Sequence, residues 1–212
     1  MFRFRVNSLV LTAVLAASVA RGQESVRSRA NFGVLEARFA RHRWDLENVG
    51  GAFFLFDRGG NARPAIDYAL LSTRLGVMLY DPCGPGILRG NVEFLGEVFA
   101  GPIFYGPGNV AGGVTLFLRY NFIQPKARVV PYFQAGGGGV YSDIEQGAAS
   151  GDAVSLSVNF NLQATGGLRF NINPRWSILA EVTYRHISNA SLSTPNYGID
   201  QLGGALGVGR SF

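Results

Sequence analysis

The chain has 212 residues, of which 47% are hydrophobic and only 16% charged, with 29 glycines, 16 phenylalanines and a formal net charge of +5. Few charges and many apolar residues exclude an intrinsically disordered chain, and this length predicts one domain. Glycine is unfavourable inside helices, so glycine combined with aromatic residues points to a β-rich protein. The weak basic excess suits anionic lipid headgroups as well as nucleic acid, and the export signal expected in the first 20 residues favours the lipid.

The first segment has the composition of a secretory signal peptide. Two early arginines supply a positive start, and an apolar run extends from Ser8 to Ala20. This run is shorter than the roughly 20 residues that a spanning helix needs, and the small residues Ser18 and Ala20 suit a cleavage site. We therefore expect residues 1–20 to be a signal peptide and residues 21–212 to form the mature domain.

The rest of the chain is dominated by alternation of apolar and polar residues. No other stretch is apolar enough to span a bilayer as a helix, and a closed β-barrel is the only other fold that satisfies every backbone hydrogen bond in lipid. In residues 154–165, apolar residues alternate strictly with polar ones, as expected for a strand with one face in lipid. We predict an all-β fold, a single eight-stranded antiparallel transmembrane β-barrel of the bacterial outer membrane, eight being the smallest strand number of such barrels. The predicted strands are 31–44, 64–80, 88–101, 110–122, 129–142, 153–170, 175–188 and 200–212.

The links between these strands predict the orientation of the barrel. Short turns at the periplasmic end and longer loops outside are the rule for outer-membrane barrels. Short turns are predicted at 81–87, 124–128 and 171–174, and longer outer links at 45–63, 102–109, 143–152 and 189–199. The seventh strand therefore runs outward. The chain ends in Phe212 with Val208 and Leu206 on the same face, the usual assembly signal of such barrels, although Arg210 departs from it.

Five charged residues fall on inward positions of the predicted strands: Glu93, Glu97, Arg119, Glu181 and Arg185. The interior of an eight-stranded barrel is filled by side chains and is not an open pore. We therefore interpret these charges as a structural ion-pair cluster and not as a channel lining or an acid–base pair.

The seventh and eighth strands carry the candidate chemistry. His186 and Ser188 share the lipid-facing parity of Val182 and Tyr184, and Asp200 takes the outward parity at the start of the eighth strand. A serine becomes a nucleophile when an imidazole accepts its proton and a carboxylate orients that imidazole. Polar side chains that face lipid are costly and usually functional. The alternative is a histidine in the interfacial belt beside an ordinary Ser-Asn loop.

Two asparagines flank the candidate nucleophile. Asn189 and Asn196 could donate hydrogen bonds to the oxyanion that develops during acyl transfer. We predict Ser188, His186 and Asp200 as catalytic residues and these two amides as oxyanion donors.

The segment RHISNASLSTPNYGID, residues 185–200, resembles the C-terminal signature of the outer-membrane lipid A 3-O-deacylase family. That pattern is His-x-Ser-Asn, then Pro-Asn, then Gly, an apolar residue and an acid. The matching positions here are His186, Ser188, Asn189, Pro195, Asn196, Gly198 and Asp200. The resemblance implies an eight-stranded barrel with a lipid-facing triad of His, Ser and an acid. Asp200 is a departure, since the best-known members carry Glu there.

The resemblance implies a serine esterase that hydrolyses the 3-O-linked hydroxyacyl ester of lipid A, with lipopolysaccharide and the bilayer as its partners. We expect no cofactor, no metal and no nucleic acid. His42, between two arginines, is expected near the outer end of the first strand, where it either contacts lipid A phosphates or belongs to a solvated basic rim; we favour the rim. The alternatives are a structural or adhesive small barrel and a secreted soluble barrel that holds an apolar ligand. Whether the protein is a monomer or a homodimer stays open.

Overall fold

A computed structural model describes residues 35–56, 66–143, 156–194, 196 and 198–212. Eight antiparallel strands form a closed barrel in which each strand pairs with its chain neighbours and the last pairs with the first. The strands are β1 Trp44–Leu55, β2 Asp67–Met78, β3 Gly90–Tyr105, β4 Val110–Phe122, β5 Val129–Ser142, β6 Val158–Asn171, β7 Trp176–Ser188 and β8 Ile199–Ser211. Within the described residues, two 3-10 helices span Glu36–Phe39 and Gly86–Leu88. None of the helices in these ranges is long and apolar enough to cross a bilayer.

The predicted eight-stranded barrel is confirmed, and the second to eighth predicted strands overlap the observed ones. The predicted signal segment, residues 1–20, lies outside the described residues. The first predicted strand, 31–44, is wrong: β1 begins only at Trp44, and a 3-10 helix precedes it. The alternation of β1 is masked in sequence because its inward positions include Asp45 and Glu47, which are fully buried. Charged residues are stable there only because arginines from other strands neutralise them.

The links between strands alternate between two ends of the barrel, called here the turn end and the loop end. At the turn end, residues 79–89, 123–128 and 172–175 join the strands; at the loop end, residues 106–109 and 189–198 do so. The predicted long outer link 102–109 is shorter than expected because β3 continues to Tyr105. His42 is at the turn end, where its backbone N–H donates to the carbonyl of Met78 at 2.9 Å. Its expected place near the outer end of the first strand is therefore wrong, because residues 35–43 precede β1 and fold against the end of β2.

The outer face of the wall is apolar and the inner face is largely polar. In β4, Val114, Leu116 and Leu118 are all more than half exposed, whereas Thr115 and Arg119, on the opposite face of the strand, are buried. Large exposed apolar side chains occur on every strand in the same alternation. This is the pattern of a barrel whose wall faces lipid, and it disfavours a soluble barrel, which needs its apolar residues inside.

Ion pairs fill the part of the barrel interior nearer the turn end, as predicted. The guanidinium of Arg119 is fully buried and donates to Glu47 at 2.5 and 2.8 Å and to Glu93 at 3.3 Å. Arg74 donates to Glu97 at 2.8 Å and to Glu181 at 2.6 Å. Pairing and hydrogen bonding offset the cost of burying these charges, and the contacts hold opposite walls of the barrel together.

Arg185 is buried as predicted but makes a different kind of contact. Its guanidinium donates to the hydroxyl of Tyr68 at 2.6 Å and lies over the rings of Phe53 and Phe99, at 4.7 and 4.4 Å from their centroids. Within the described ranges it forms no salt bridge. Aromatic faces attract a cation, so Arg185 belongs to the apolar core nearer the loop end and not to the ion-pair cluster.

The segment before β1 closes the turn end of the lumen. Arg38, on the first 3-10 helix, is buried and donates to Asn171 at 2.9 Å, to Ser177 at 3.1 Å and to Asp45 at 3.2 Å. Phe39 beside it is 1% exposed. Because these contacts reach β1, β6 and β7, the segment ties three strands together at the end opposite the candidate site.

Candidate active site

The register of β7 places His186 and Ser188 on the outer face of the barrel. Thr183, Arg185 and Ile187 are buried, whereas the residues between them point outward. His186 and Ser188 are half-buried at the loop end of the strand. The predicted lipid-facing parity is therefore observed, and the candidate pair is not in the lumen.

Asp200 lies directly across from His186 in the pairing of β7 with β8. The imidazole Nδ1 and the carboxylate Oδ1 are 2.7 Å apart, with side chains 34% and 26% exposed. Directly paired residues on one sheet face have Cβ atoms only about 4.5–5.5 Å apart. An aspartate side chain, although shorter than glutamate, therefore reaches the imidazole. The structure thus brings together two of the three predicted catalytic residues.

Ser188 is two positions farther along the same face as His186. The rise of a strand separates such residues by roughly 7 Å along the chain, a gap that a histidine side chain can bridge. Among the described residues no hydrogen bond joins the Ser188 hydroxyl to the imidazole. Rotation about χ1 of the serine between its staggered positions moves the hydroxyl relative to the imidazole, and catalytic hydrogen bonds often tighten only with substrate bound.

The turn after Ser188 contains both predicted oxyanion donors. The backbone N–H of Asn189 donates to Oδ1 of Asn196 at 3.0 Å, and the Asn189 amide donates to the carbonyl of Ser193 at 3.0 Å. The Asn189 Oδ1 accepts from the backbone N–H of Ser191 at 2.9 Å. The two amides therefore belong to one hydrogen-bonded turn beside the nucleophile, and in this conformation the Asn189 side chain bridges parts of that turn.

Gly198 leads from this turn into β8 and lies against the imidazole. Its φ is +72°, and a Cβ at this position would be 2.8 Å from Cε1 of His186. Left-handed backbone is unfavourable for residues with a side chain, so two separate requirements point to glycine here. Pro195, which also matches the signature, lies outside the described residues.

Tyr184 is a site residue that the sequence did not reveal. Its hydroxyl donates to Oδ1 of Asp200 at 2.6 Å, the same oxygen that contacts His186. The alternation placed Tyr184 on the lipid face, but its contact with Asp200 depends on the register of two strands. The available signal was its position two residues before His186 on the same face.

One group of potential metal ligands occurs in the described part of the chain: Asp45, Glu47 and Glu93. All three are buried inside the barrel, and Arg119 and Arg169 form salt bridges with them. This group is part of the structural ion-pair cluster and is separate from the outer face that carries His186.

The family model described as lipid A 3-O-deacylase (PagL) matches residues 85–209, more than half of the chain. The chain belongs to the lipid A 3-O-deacylase (PagL) family. It is therefore a member of an outer-membrane enzyme family that removes an acyl chain from lipid A by ester hydrolysis. The matched region extends from just before β3 into β8 and includes His186, Ser188 and Asp200.

Several solved structures are similar to this PagL family member. The N-terminal β-barrel domain of Pseudomonas aeruginosa OprF is 16% identical with a TM-score of 0.53, covering 81% of this chain and 98% of that one. The outer membrane enzyme PagL is 19% identical with a TM-score of 0.49, covering 77% of this chain and 97% of that one. OprG from Pseudomonas aeruginosa is 17% identical with a TM-score of 0.49, covering 82% and 98%. Comparison with curated protein sequences finds no match.

Proposed function

We propose that this PagL family member hydrolyses the ester that links a 3-hydroxyacyl chain to the 3-position of a lipid A glucosamine, and that Ser188, His186 and Asp200 are its catalytic triad. The single observation that carries the proposal is the 2.7 Å contact between His186 Nδ1 and Asp200 Oδ1 on the outer face of the barrel. A carboxylate on one ring nitrogen leaves the other nitrogen to act as the base.

In the first half of the reaction, the Ser188 hydroxyl attacks the ester carbonyl carbon. His186 accepts the hydroxyl proton, and Asp200 stabilises the imidazolium that forms. Collapse of the tetrahedral intermediate breaks the bond to the glucosamine oxygen. The imidazolium gives its proton to that oxygen, so the deacylated lipid leaves as an alcohol.

In the second half, water attacks the acyl-serine ester. His186 removes a proton from the water, and the second tetrahedral intermediate releases the hydroxy fatty acid as Ser188 regains its proton. Every proton moves among the serine, the imidazole, the departing glucosamine oxygen and water, so the proposed mechanism uses no cofactor.

We assign stabilisation of the tetrahedral oxyanion to the amide of Asn196, together with the amide of Asn189 once this buried side chain releases the Ser193 carbonyl. Preorganised donors near the reacting carbonyl stabilise the charge as it develops. Asn189 directly follows the nucleophile, and the backbone N–H of Asn189 donates to Oδ1 of Asn196 at 3.0 Å. Among the described residues, the Asn196 amide donates to the Ser191 hydroxyl at 3.5 Å, a long and weak hydrogen bond that a negatively charged oxygen would displace.

An outward-facing site fits a substrate that is itself a membrane lipid. Val182 and Tyr184, just below the site, are 59% and 41% exposed on the same face, so acyl chains lie against them in the bilayer. Leu162 pairs with His186 on its other side, which adds to the apolar surroundings. The ester at the membrane surface then meets the triad without leaving the leaflet.

The test is Ser188→Ala, with Thr194→Ala as the matched control, because Thr194 is an exposed hydroxyl residue of the turn that follows the nucleophile. Lipid A from cells that express each variant is analysed by mass spectrometry for loss of one hydroxyacyl chain. We expect Ser188→Ala to fold as a heat-modifiable barrel and to lose deacylation by several orders of magnitude, while Thr194→Ala retains it. Deacylation by a folded Ser188→Ala variant at the normal rate would contradict the proposal.

A further inference from the structure

Two donors share one carboxylate oxygen at the edge of the candidate site. The Tyr184 hydroxyl donates to Asp200 Oδ1 at 2.6 Å, and His186 Nδ1 lies 2.7 Å from the same atom. Tyr184 is 41% exposed on the lipid face, where a phenolic hydroxyl needs a hydrogen-bond partner because lipid offers none. Asp200 is that partner.

The strand register explains how Tyr184 reaches the acid. His186 is directly opposite Asp200, whereas Tyr184 is directly opposite Leu202. Tyr184 and Asp200 are therefore diagonal neighbours, at a separation of roughly 7–8 Å that an aromatic side chain can span. Both side chains therefore reach the carboxylate from β7, His186 directly across the strand pair and Tyr184 diagonally from farther into the bilayer.

A carboxylate in this place needs to be held in one orientation. Asp200 is at the loop end of β8, about a quarter exposed, so its carboxylate could also turn toward water at the membrane surface. Hydrogen bonds to charged groups are shorter and stronger than neutral ones, and they strengthen further in apolar surroundings. A tyrosine holds such a contact at small entropic cost because it has only two side-chain torsions.

We infer that Tyr184 is a positioning residue for the deacylation: its hydroxyl holds Asp200 in the orientation that aligns His186 with Ser188. This inference rests on the proposed triad and adds a fourth side chain to it. Tyr184 acts only through Asp200, which predicts that its effect on turnover depends on the carboxylate.

The first measurement is turnover of lipid A by purified Tyr184→Phe in detergent micelles. This variant keeps the ring and removes only the hydroxyl. We expect kcat to fall about tenfold, as for loss of one charge-assisted contact, with KM unchanged and the barrel still heat-modifiable. The control is Tyr141→Phe, which removes a hydroxyl from another exposed tyrosine near the loop end and should leave kcat unchanged.

The second measurement repeats Tyr184→Phe in an Asp200→Asn background, with long incubations to follow the slow residual reaction. Residues that act as one unit are strongly non-additive, so the tyrosine substitution should now change kcat by less than about twofold. An equal loss in both backgrounds, or normal kcat in Tyr184→Phe, would overturn the inference. Ser188→Ala separates the two proposals: activity in that variant removes the triad and this inference together, whereas normal turnover in Tyr184→Phe alone removes only the role of Tyr184.

Discussion

Substitution of Gly198 by alanine should disturb catalysis more than folding. The added Cβ would lie 2.8 Å from Cε1 of His186, whereas ordinary contact begins at 3.4 Å. The imidazole or the turn must therefore move by 0.6 Å, the difference between 3.4 and 2.8 Å. The contact is with the ring that carries the proposed base, so the movement falls on the reacting group.

The φ of Gly198 and the displacement of the imidazole determine the expected losses of stability and of kcat. At the left-handed φ of Gly198, a side chain costs roughly 1–2 kcal/mol of stability. A misplacement of about 1 Å in a catalytic group can lower the rate by about 100-fold. We therefore expect a displacement of about half that size to lower kcat by about tenfold, while most molecules remain folded.

The assay measures lipid A deacylation per folded molecule, with the folded fraction taken from the heat-modifiable band. Gly204→Ala is the matched control: it lies in β8, the strand that Gly198 leads into, and a Cβ there would meet nothing within 4 Å. We expect this control to retain its normal kcat. The reasoning fails if Gly198→Ala has the normal kcat per folded molecule, or if Gly204→Ala loses as much activity.

Two further predictions concern the barrel itself. Arg119→Met leaves buried carboxylates uncompensated and should lower the free energy of unfolding in urea by about 3–5 kcal/mol. Leu118→Met, a change to the same side chain on the lipid face, should cost less than about 1.5 kcal/mol, and equal effects would contradict the structural role of the ion pairs. Hydrogen bonds from the backbone N–H groups of Val110 and Asn109 lower the pKa of Asp143. The ionised carboxylate therefore stabilises the end of the β4–β5 pair at pH values above the unfolded pKa of this group. That stabilisation is lost as the pH falls through the lower pKa of the folded state. Amide exchange at Asn109 should accelerate in that acidic range, and Asp143→Asn should abolish this pH dependence; exchange that keeps its acid response in the variant would refute the assignment.

Sequence patterns were sufficient wherever a strand had a uniform environment on each face. The alternation in β4 and β6 predicted both strands and their lipid-facing residues, because an apolar outer face and a polar inner face leave a clear period of two. In β1 the same rule was hidden. Its inward Asp45 and Glu47 are stabilised by Arg169 and Arg119, from β6 and β4, and partners so far away in sequence leave no local pattern.

By itself, the sequence determined the strand count, the outward parity of His186 and Ser188, and the outward parity of Asp200, because successive side chains of a strand alternate between its two faces. Only the tertiary structure decided that Asp200 pairs with His186 across β7 and β8, and that Tyr184 reaches the same carboxylate diagonally. Register is a relation between two strands, set by barrel closure and by the turn between them, so no single segment encodes it.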